Sequence, residues 1–416
     1  MKFVYAFFLL IVAQILPAKT IVVGKNEAIK SIKKAIEIAQ NGDVILVKPG
    51  RYKEGNISIE KSISLIGEGY PILDGQRKYE ILSLRANKIV IKGFKIIDSG
   101  EDLIKNIGAV RLYDAKDVKI ENNIFKDNYF GVYLQRGDRC HINNNKFVSH
   151  RTTNQEKSGN GIHGWVTNQA WITNNYITGY KDGIYLEKVT NSFIYNNFSY
   201  KNMRYGLHFM FSHNNVYRKN RFKNNSAGVA VMFSKKVKME YNIFEDNWGD
   251  SAYGLLLKEL QYAKIIGNTF RNNTTAVWVD GATAMKIYNN TFEDNGWGLK
   301  INANSRDSQL YHNNFINNTF DVSTNGTTVM NEFKNNYWDK YQGYDLNKDN
   351  IGDVEYHPLS LYSVLVEKNP AVMLLYRTFF VDILDKTEKV VPSLTPENFV
   401  DKIPSMKKIN FQLSSN

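Results

Sequence analysis

Asparagine placed just ahead of an aromatic or apolar residue returns along this chain at a nearly fixed interval. That interval decides what the chain can fold into. The copies read ENNIF (121–125), NNNKF (143–147), TNNYI (173–177), YNNF (195–198), KNRF (219–222), YNIF (241–244), GNTF (267–270), NNTF (289–292) and HNNF (312–315), with a last NNYW ending at Trp338. Successive copies mostly lie 22 or 23 residues apart. Gly131, Gly161, Gly183, Gly206, Gly228, Gly254 and Gly298 keep the same beat, with Ala276 standing in once, and each precedes a short alternating strand. Helical repeats run longer than this, and a leucine ladder is absent. The segments between turns alternate with period 2, as in VKIENNIF and GIYL. Short strands joined by Asn- and Gly-rich turns, one coil per period, give an all-β fold: a right-handed parallel β-helix. Asn at the turn tolerates a left-handed backbone and bonds its neighbours up and down the stack. The Phe two residues on is expected to point inward and stack on the Phe of the next coil. Coils then rise by about 4.8 Å, the strand spacing of a sheet.

The pattern divides the chain into four parts. Residues 1–18 read as a secretory signal peptide: Lys2, an apolar run over 3–16, and a small residue at Ala18. That run is short for a membrane span, so the protein is expected to be exported and to lie outside the cytoplasm. Residues 19–100 hold an amino-terminal cap and the first coils, 101–340 the main β-helix, and 341–416 an acidic loop, helix and tail. The cap is an expected helix over 28–40, with Ile29, Ile32, Ala35, Ile36 and Ala39 on one stripe. It covers a sheet end that would otherwise template aggregation. A second helix is expected over 370–390, with Pro370 at its start. It carries more apolar residues than a cap needs. Two coils are oversized, at 30 residues (131 to 161) and 26 residues (228 to 254). Such insertions emerge on one face of a solenoid and often carry binding. The single cysteine, Cys140, excludes an internal disulfide. The net charge of +12 comes from scattered Lys and Arg, which describes a solvated basic surface rather than a nucleic-acid site.

Aligning the strands on their leading glycines sorts their side chains. Second and fourth residues face the core, third and fifth face outward. The third positions form a column of Tyr133, His163, Tyr185, His208, Ala230, Leu256, Trp278 and Lys300. The fifth positions form its neighbour: Gln135, Trp165, Glu187, Met210, Met232, Lys258, Asp280 and Asn302. His208 and Met210 therefore point outward from one strand, about 6–7 Å apart at the backbone. Met232 lies above Met210 on the next coil. Imidazole and thioether ligands suit Cu(I); methionines also simply pack under a loop or partner. His213, in the following turn, is a further candidate. Asp345, Asn347, Asp349 and Asp353 are spaced like the first oxygen ligands of a calcium loop, although Tyr356 stands where the bidentate Glu belongs. The outward columns show no acid/base pair of carboxylates, and no catalytic residue is assigned.

In "YGLHFMFSHNN" (205–215), and in the tail from NNYWDKYQGYDLNKDNIGD through LLYRTFFVDILDKTEKVVPSLTP, the chain resembles the NosD family. That resemblance implies a non-enzymatic periplasmic factor in nitrous oxide reductase maturation, serving the reductase's copper–sulfide centre. It implies work beside an ABC transporter, with permease and ATPase subunits, and beside a lipoprotein copper chaperone. It also turns the surplus apolar residues Leu374, Leu375, Phe379, Phe380, Ile383 and Leu384 into a docking element for a membrane partner. Two other readings stay open: a polysaccharide lyase or hydrolase of the β-helix class, and a scaffold that docks partners without metal.

Overall fold

A computed structural model describes residues 18–102, 106–326, 330–390 and 399–411. The expected signal peptide lies outside these residues, apart from Ala18. The described chain winds as a parallel solenoid whose coils contribute strands in turn to three long sheets. Sheet 1 has fourteen strands, from Thr20–Val23 to Met330–Lys334. Sheet 2 has thirteen, ending at Tyr337–Trp338, and sheet 3 has twelve, ending at Phe320–Ser323. All strand pairs within the sheets are parallel, with matched positions such as Phe125↔Phe147 and His208↔Ala230, and the register shifts between Arg306 and Gln309 in the last pair of sheet 1.

The Asn-rich turns divide two jobs between adjacent residues. The first residue takes the left-handed backbone: Asn122, Asn144, Asn174, Asn196 and Asn289 do so at φ of 53–58°, as do Lys219, Tyr241 and His312, with Gly267 at 64°. The second is an unbroken ladder of buried amides. Asn123, Asn145, Asn175, Asn197, Asn220, Asn242, Asn268, Asn290, Asn313 and Asn336 are at most 2% exposed. From Asn145 on, each Oδ1 accepts from the backbone N–H and side-chain amide of the preceding rung, as Asn220 does from Asn197 at 2.9 Å; the first, Asn123, accepts from the backbone N–H of Phe94. His312 thus occupies the left-handed position beside the ladder rung Asn313; it does not replace a rung. The second job admits one residue type because the buried amide must donate and accept at once.

The aromatic stack runs Phe222, Phe244, Phe270, Phe292, Phe315 and Trp338, with ring centroids 4.2–5.4 Å apart. Phe198 departs from the expected pattern. It follows its rung by one residue instead of two, so it faces outward, and Ser199 fills the inward slot. The glycines heading sheet 3 are required by close approach. A Cβ on Gly206 would stand 2.8 Å from the carbonyl oxygen of Gly228.

Both ends are closed. The amino-terminal helix α1 (Ile32–Ile38) is shorter than expected, and buries Ile32, Ala35 and Ile36. Glu54 accepts from the N–H groups of Ile32 and Lys33, and Lys61 donates to the carbonyls of Ile36, Glu37 and Ala39. A carboxylate at the helix start and an ammonium at its end both oppose the helix dipole favourably. At the far end the cap is not the apolar helix. Phe399 is fully buried, packing on Phe333, and Asp401 ends the Asn ladder. Its carboxylate accepts from Asn335 N, Asn336 N and Nδ2, and Trp338 Nε1 at 3.0–3.1 Å.

The helical region lies on the outer face of sheet 3. Helix α2 (Leu361–Lys368) buries Tyr362 and Val366 against Phe320. Its Glu367 accepts from Lys300 and Ser323, both at 3.1 Å. A 3-10 turn (Pro370–Leu375) and helix α3 (Phe379–Val390) follow, separated at Arg377, whose φ of +62° ends the continuous helix expected over 370–390.

Candidate functional site

The outward columns of sheet 3 stand in the expected register. His208 pairs with Tyr185 below and Ala230 above, and Met210 with Glu187 below and Met232 above. Outward does not mean exposed. His208 is only 5% exposed, because Tyr185 and Tyr205 pack their rings against it at 5.0 and 4.8 Å. Met232 is partly buried against Ala227, Ala230, Tyr253 and Leu256. Met210 receives the Tyr185 hydroxyl at 3.6 Å from its Sδ.

Two charged residues complete the arrangement. The carboxylate of Asp182 is wholly buried, accepts from Arg204 Nε at 2.8 Å, and lies 3.5 Å from His208 Nδ1. Burial alone would raise this carboxyl, but hydrogen bonds from Arg204 and His208 outweigh it and hold the group below its ordinary value. The other ring nitrogen, Nε2 of His208, is buried and has no hydrogen-bond partner. Nδ1 faces both the Asp182 carboxylate and, at 3.4 Å, Arg204 Nη2; in the tautomer whose Nδ1 proton points to Asp182, the Nε2 lone pair is left free, and a carboxylate behind the ring is a common support of a ligating imidazole. Met210 and Met232 stand in register on adjacent coils, two residues along from His208 and Ala230; imidazole and thioether are the ligand types that suit Cu(I). Among the described residues, no group of three or more His, Cys, Asp or Glu forms a metal site.

Asp182 and Arg204 were missed by reading the third and fifth columns alone. Asp182 immediately precedes Gly183 and Arg204 stands two before Gly206, 22 residues on. That interval is the repeat itself, so the pair was available as opposite charges on adjacent coils.

Below His208 opens a cleft of about 600 Å³ on the same face, with Tyr133, His163, Trp165, Tyr185, Glu187 and Met210 among its walls. The insertion of the 30-residue coil closes one side through the buried Ser158, Gly159 and Asn160. Asn160 donates to His163 Nδ1 at 3.1 Å. Burial pushes the His163 imidazole down to about 4, so it is neutral near pH 7.

The other candidates fall elsewhere. His213 Nδ1 accepts from the backbone N–H of Lys235 at 3.2 Å in the turn toward sheet 1. Asp345, Asn347, Asp349 and Asp353 direct oxygens at nearby backbone N–H groups: Asp345 at Asp349 and Asn350, Asn347 at Asp349, Asp349 at Ile351, and Asp353 at Leu346. They form a closed polar turn. Of the docking residues, Leu374 and Phe379 are 88% and 76% exposed, Leu375, Phe380 and Ile383 are also exposed, and Leu384 packs toward Val381.

These features define a β-helix protein whose chemistry is gathered on one outer face. A family model described as periplasmic copper-binding protein (NosD) matches residues 148–348, and one described as right handed beta helix region matches 37–154. Two curated relatives carry the name probable ABC transporter binding protein NosD. The one from Stutzerimonas stutzeri is 26% identical and the one from Pseudomonas aeruginosa 27% identical, each over 32% of this chain and 31% of the relative's length. Over residues 148–348 the chain is similar to the NosD family, and it spans about a third of the length of the curated relatives it matches. Among solved structures, the catalytic domain of a GH87 alpha-1,3-glucanase shares 11% identity at a TM-score of 0.55, covering 78% of this chain and 70% of that one. A second such unit, from Streptomyces thermodiastaticus, shares 12% identity at 0.52, covering 74% and 62%. At these identities the likeness is one of fold.

Proposed function

We propose that this chain is a copper-handling accessory factor for nitrous oxide reductase maturation, holding Cu(I) as cargo at His208, Met210 and Met232. The observation that carries the reading is the buried, unpartnered Nε2 of His208 beside two in-register thioethers. Asp182 holds the ring, and the small Ala230 stands above it in the column, beside Met232 in the same cluster. His213 would join only by leaving the Lys235 amide. The exposed apolar residues of the 3-10 turn and α3 flank the same outer face and serve as the docking element for an ABC transporter permease, with its ATPase behind it. The names of the curated relatives support that partner. A copper chaperone and the reductase then meet the face between the cleft and α2.

Anaerobic Cu(I) competition titration tests this, comparing the wild type with a His208→Ala, Met210→Ala, Met232→Ala variant. One tight site lost in the variant is the expected result. Absence of binding in the wild type ends the carrier reading and leaves a metal-free scaffold. A polysaccharide lyase or hydrolase is the second reading, favoured by the aromatic-walled cleft. Release of oligosaccharides from an acidic glycan by the purified chain would establish it.

A further inference from the structure

A column of lysines stands on a different face, the outside of sheet 1. Strands Lys238–Glu240, Lys264–Ile266 and Lys286–Tyr288 pair in register, Lys238↔Lys264 and Lys264↔Lys286. All three side chains are exposed. Directly opposed like charges destabilise a sheet, and strand spacing puts these about 4.8 Å apart at the backbone. Among the described residues none of the three ammonium groups has an ion pair or side-chain hydrogen bond. The one acid on these strands, Glu240, lies 3.9 Å from Arg218. Lys235 and Lys236, exposed in the adjoining turn, extend the positive stripe. Tyr262, 62% exposed, occupies the next coil's turn beside it.

From this we infer that the Lys238–Lys264–Lys286 face binds the headgroup surface of an anionic phospholipid bilayer. The column is even and straight, as the in-register strands require, and no described acid balances its three charges. Lysine is depleted from protein–protein interfaces, whereas lysines beside an anionic membrane each strengthen binding about fivefold. An exposed tyrosine at the rim is the residue type that settles at a bilayer's polar boundary. The unrelieved repulsion along the column is removed when phosphate groups lie over it. This reading is independent of copper, because the column lies on another sheet from His208.

The test is co-sedimentation of the full chain with vesicles of phosphatidylcholine alone or with about a third phosphatidylglycerol, at low and high salt. Apolar contributions from other segments are common to both vesicle types and cancel in the ratio. Preferential binding to the anionic vesicles, weakened by salt, is expected. A Lys238→Gln, Lys264→Gln, Lys286→Gln variant should lose about a hundredfold. It relieves repulsion, so it should melt no lower than wild type. A control carrying Lys30→Gln, Lys33→Gln, Lys34→Gln, all exposed at the amino-terminal cap, has the same net charge and should lose much less. Equal loss in the control overturns the proposal, since net charge then suffices. Equal wild-type binding to both vesicles also overturns it, as does retention on an acidic glycan column without vesicle binding.

Discussion

The interior of the solenoid and the outer face of sheet 3 share the same coils and follow opposite rules. Inside, ten successive rungs are asparagine without exception. On the outer column Tyr133, His163, Tyr185, His208, Ala230, Leu256, Trp278 and Lys300 bring six residue types to eight coils. Each interior rung accepts from one neighbour and donates to the other, so a substitution damages two coils. No such ladder binds the outer side chains, and their identities are free to answer to contacts and ligands. In a solenoid, departure from the repeat on an outer face is therefore more informative about function than the repeat.

The sharpest way to break this contrast is Asn220→Ala. Its Nδ2 donates to Ile194 O and Asn242 Oδ1, and its Oδ1 accepts from Asn197 N and Nδ2. Truncation strands several buried polar groups, and should cost about 3–5 kcal/mol by urea unfolding. A loss below about 1 kcal/mol would show that the ladder is not what holds the coils together.

Next in size is Asp182→Asn on the outer face. It keeps the shape and removes the charge facing Arg204 and His208. Arg204 is about one-third exposed, so the cost is about 2 kcal/mol, below that of a fully buried pair. If Asp182 positions His208, Cu(I) affinity should also fall 10- to 100-fold. Asp280→Asn on the same face leaves the amides of Asn302 and Asn304 an oxygen acceptor, and should change copper affinity little. Equal affinity loss in both variants would assign the effect to surface charge.

His163 sharpens the contrast through pH. Its folded value of about 4 lies below the ordinary 6.5, so the unfolded chain binds more protons between those values. Its stabilising contribution is full above pH 6.5 and is lost as pH falls toward 4, about 2–3 kcal/mol in all. Comparing unfolding free energies of wild type and His163→Gln at pH 7 and pH 4 isolates this contribution. An unchanged pH dependence would mean that the ring is solvated.

Much of this architecture was legible. The Asn beat determined the coil length, and the leading glycines aligned the outward columns residue by residue. Three features escaped, each for a physical reason. Asp401 seals the ladder from a segment some 65 residues beyond Asn336, and a single capping residue has no period. Helix α2 is eight residues long, and its anchors Tyr362 and Val366 acquire meaning only against Phe320. Asp182 escaped because the column alignment begins one residue later, at Gly183. Its carboxylate lies 3.5 Å from Nδ1 of the candidate ligand His208.

The smallest expected effect lies next to the largest. Lys219 precedes Asn220 and holds φ of +54°, the position that six other coils give to asparagine. Asn tolerates this backbone better than Lys does, because its short polar side chain bonds locally. Lys219→Asn should therefore raise stability by about 0.5 kcal/mol, measured in the same urea titration as Asn220→Ala. If instead Lys219→Asn destabilises by more than about 1 kcal/mol, the lysine side chain contributes something the turn geometry does not require. The left-handed residue would then belong with the outer face, answering to its contacts, and the division of labour within each Asn pair would fail.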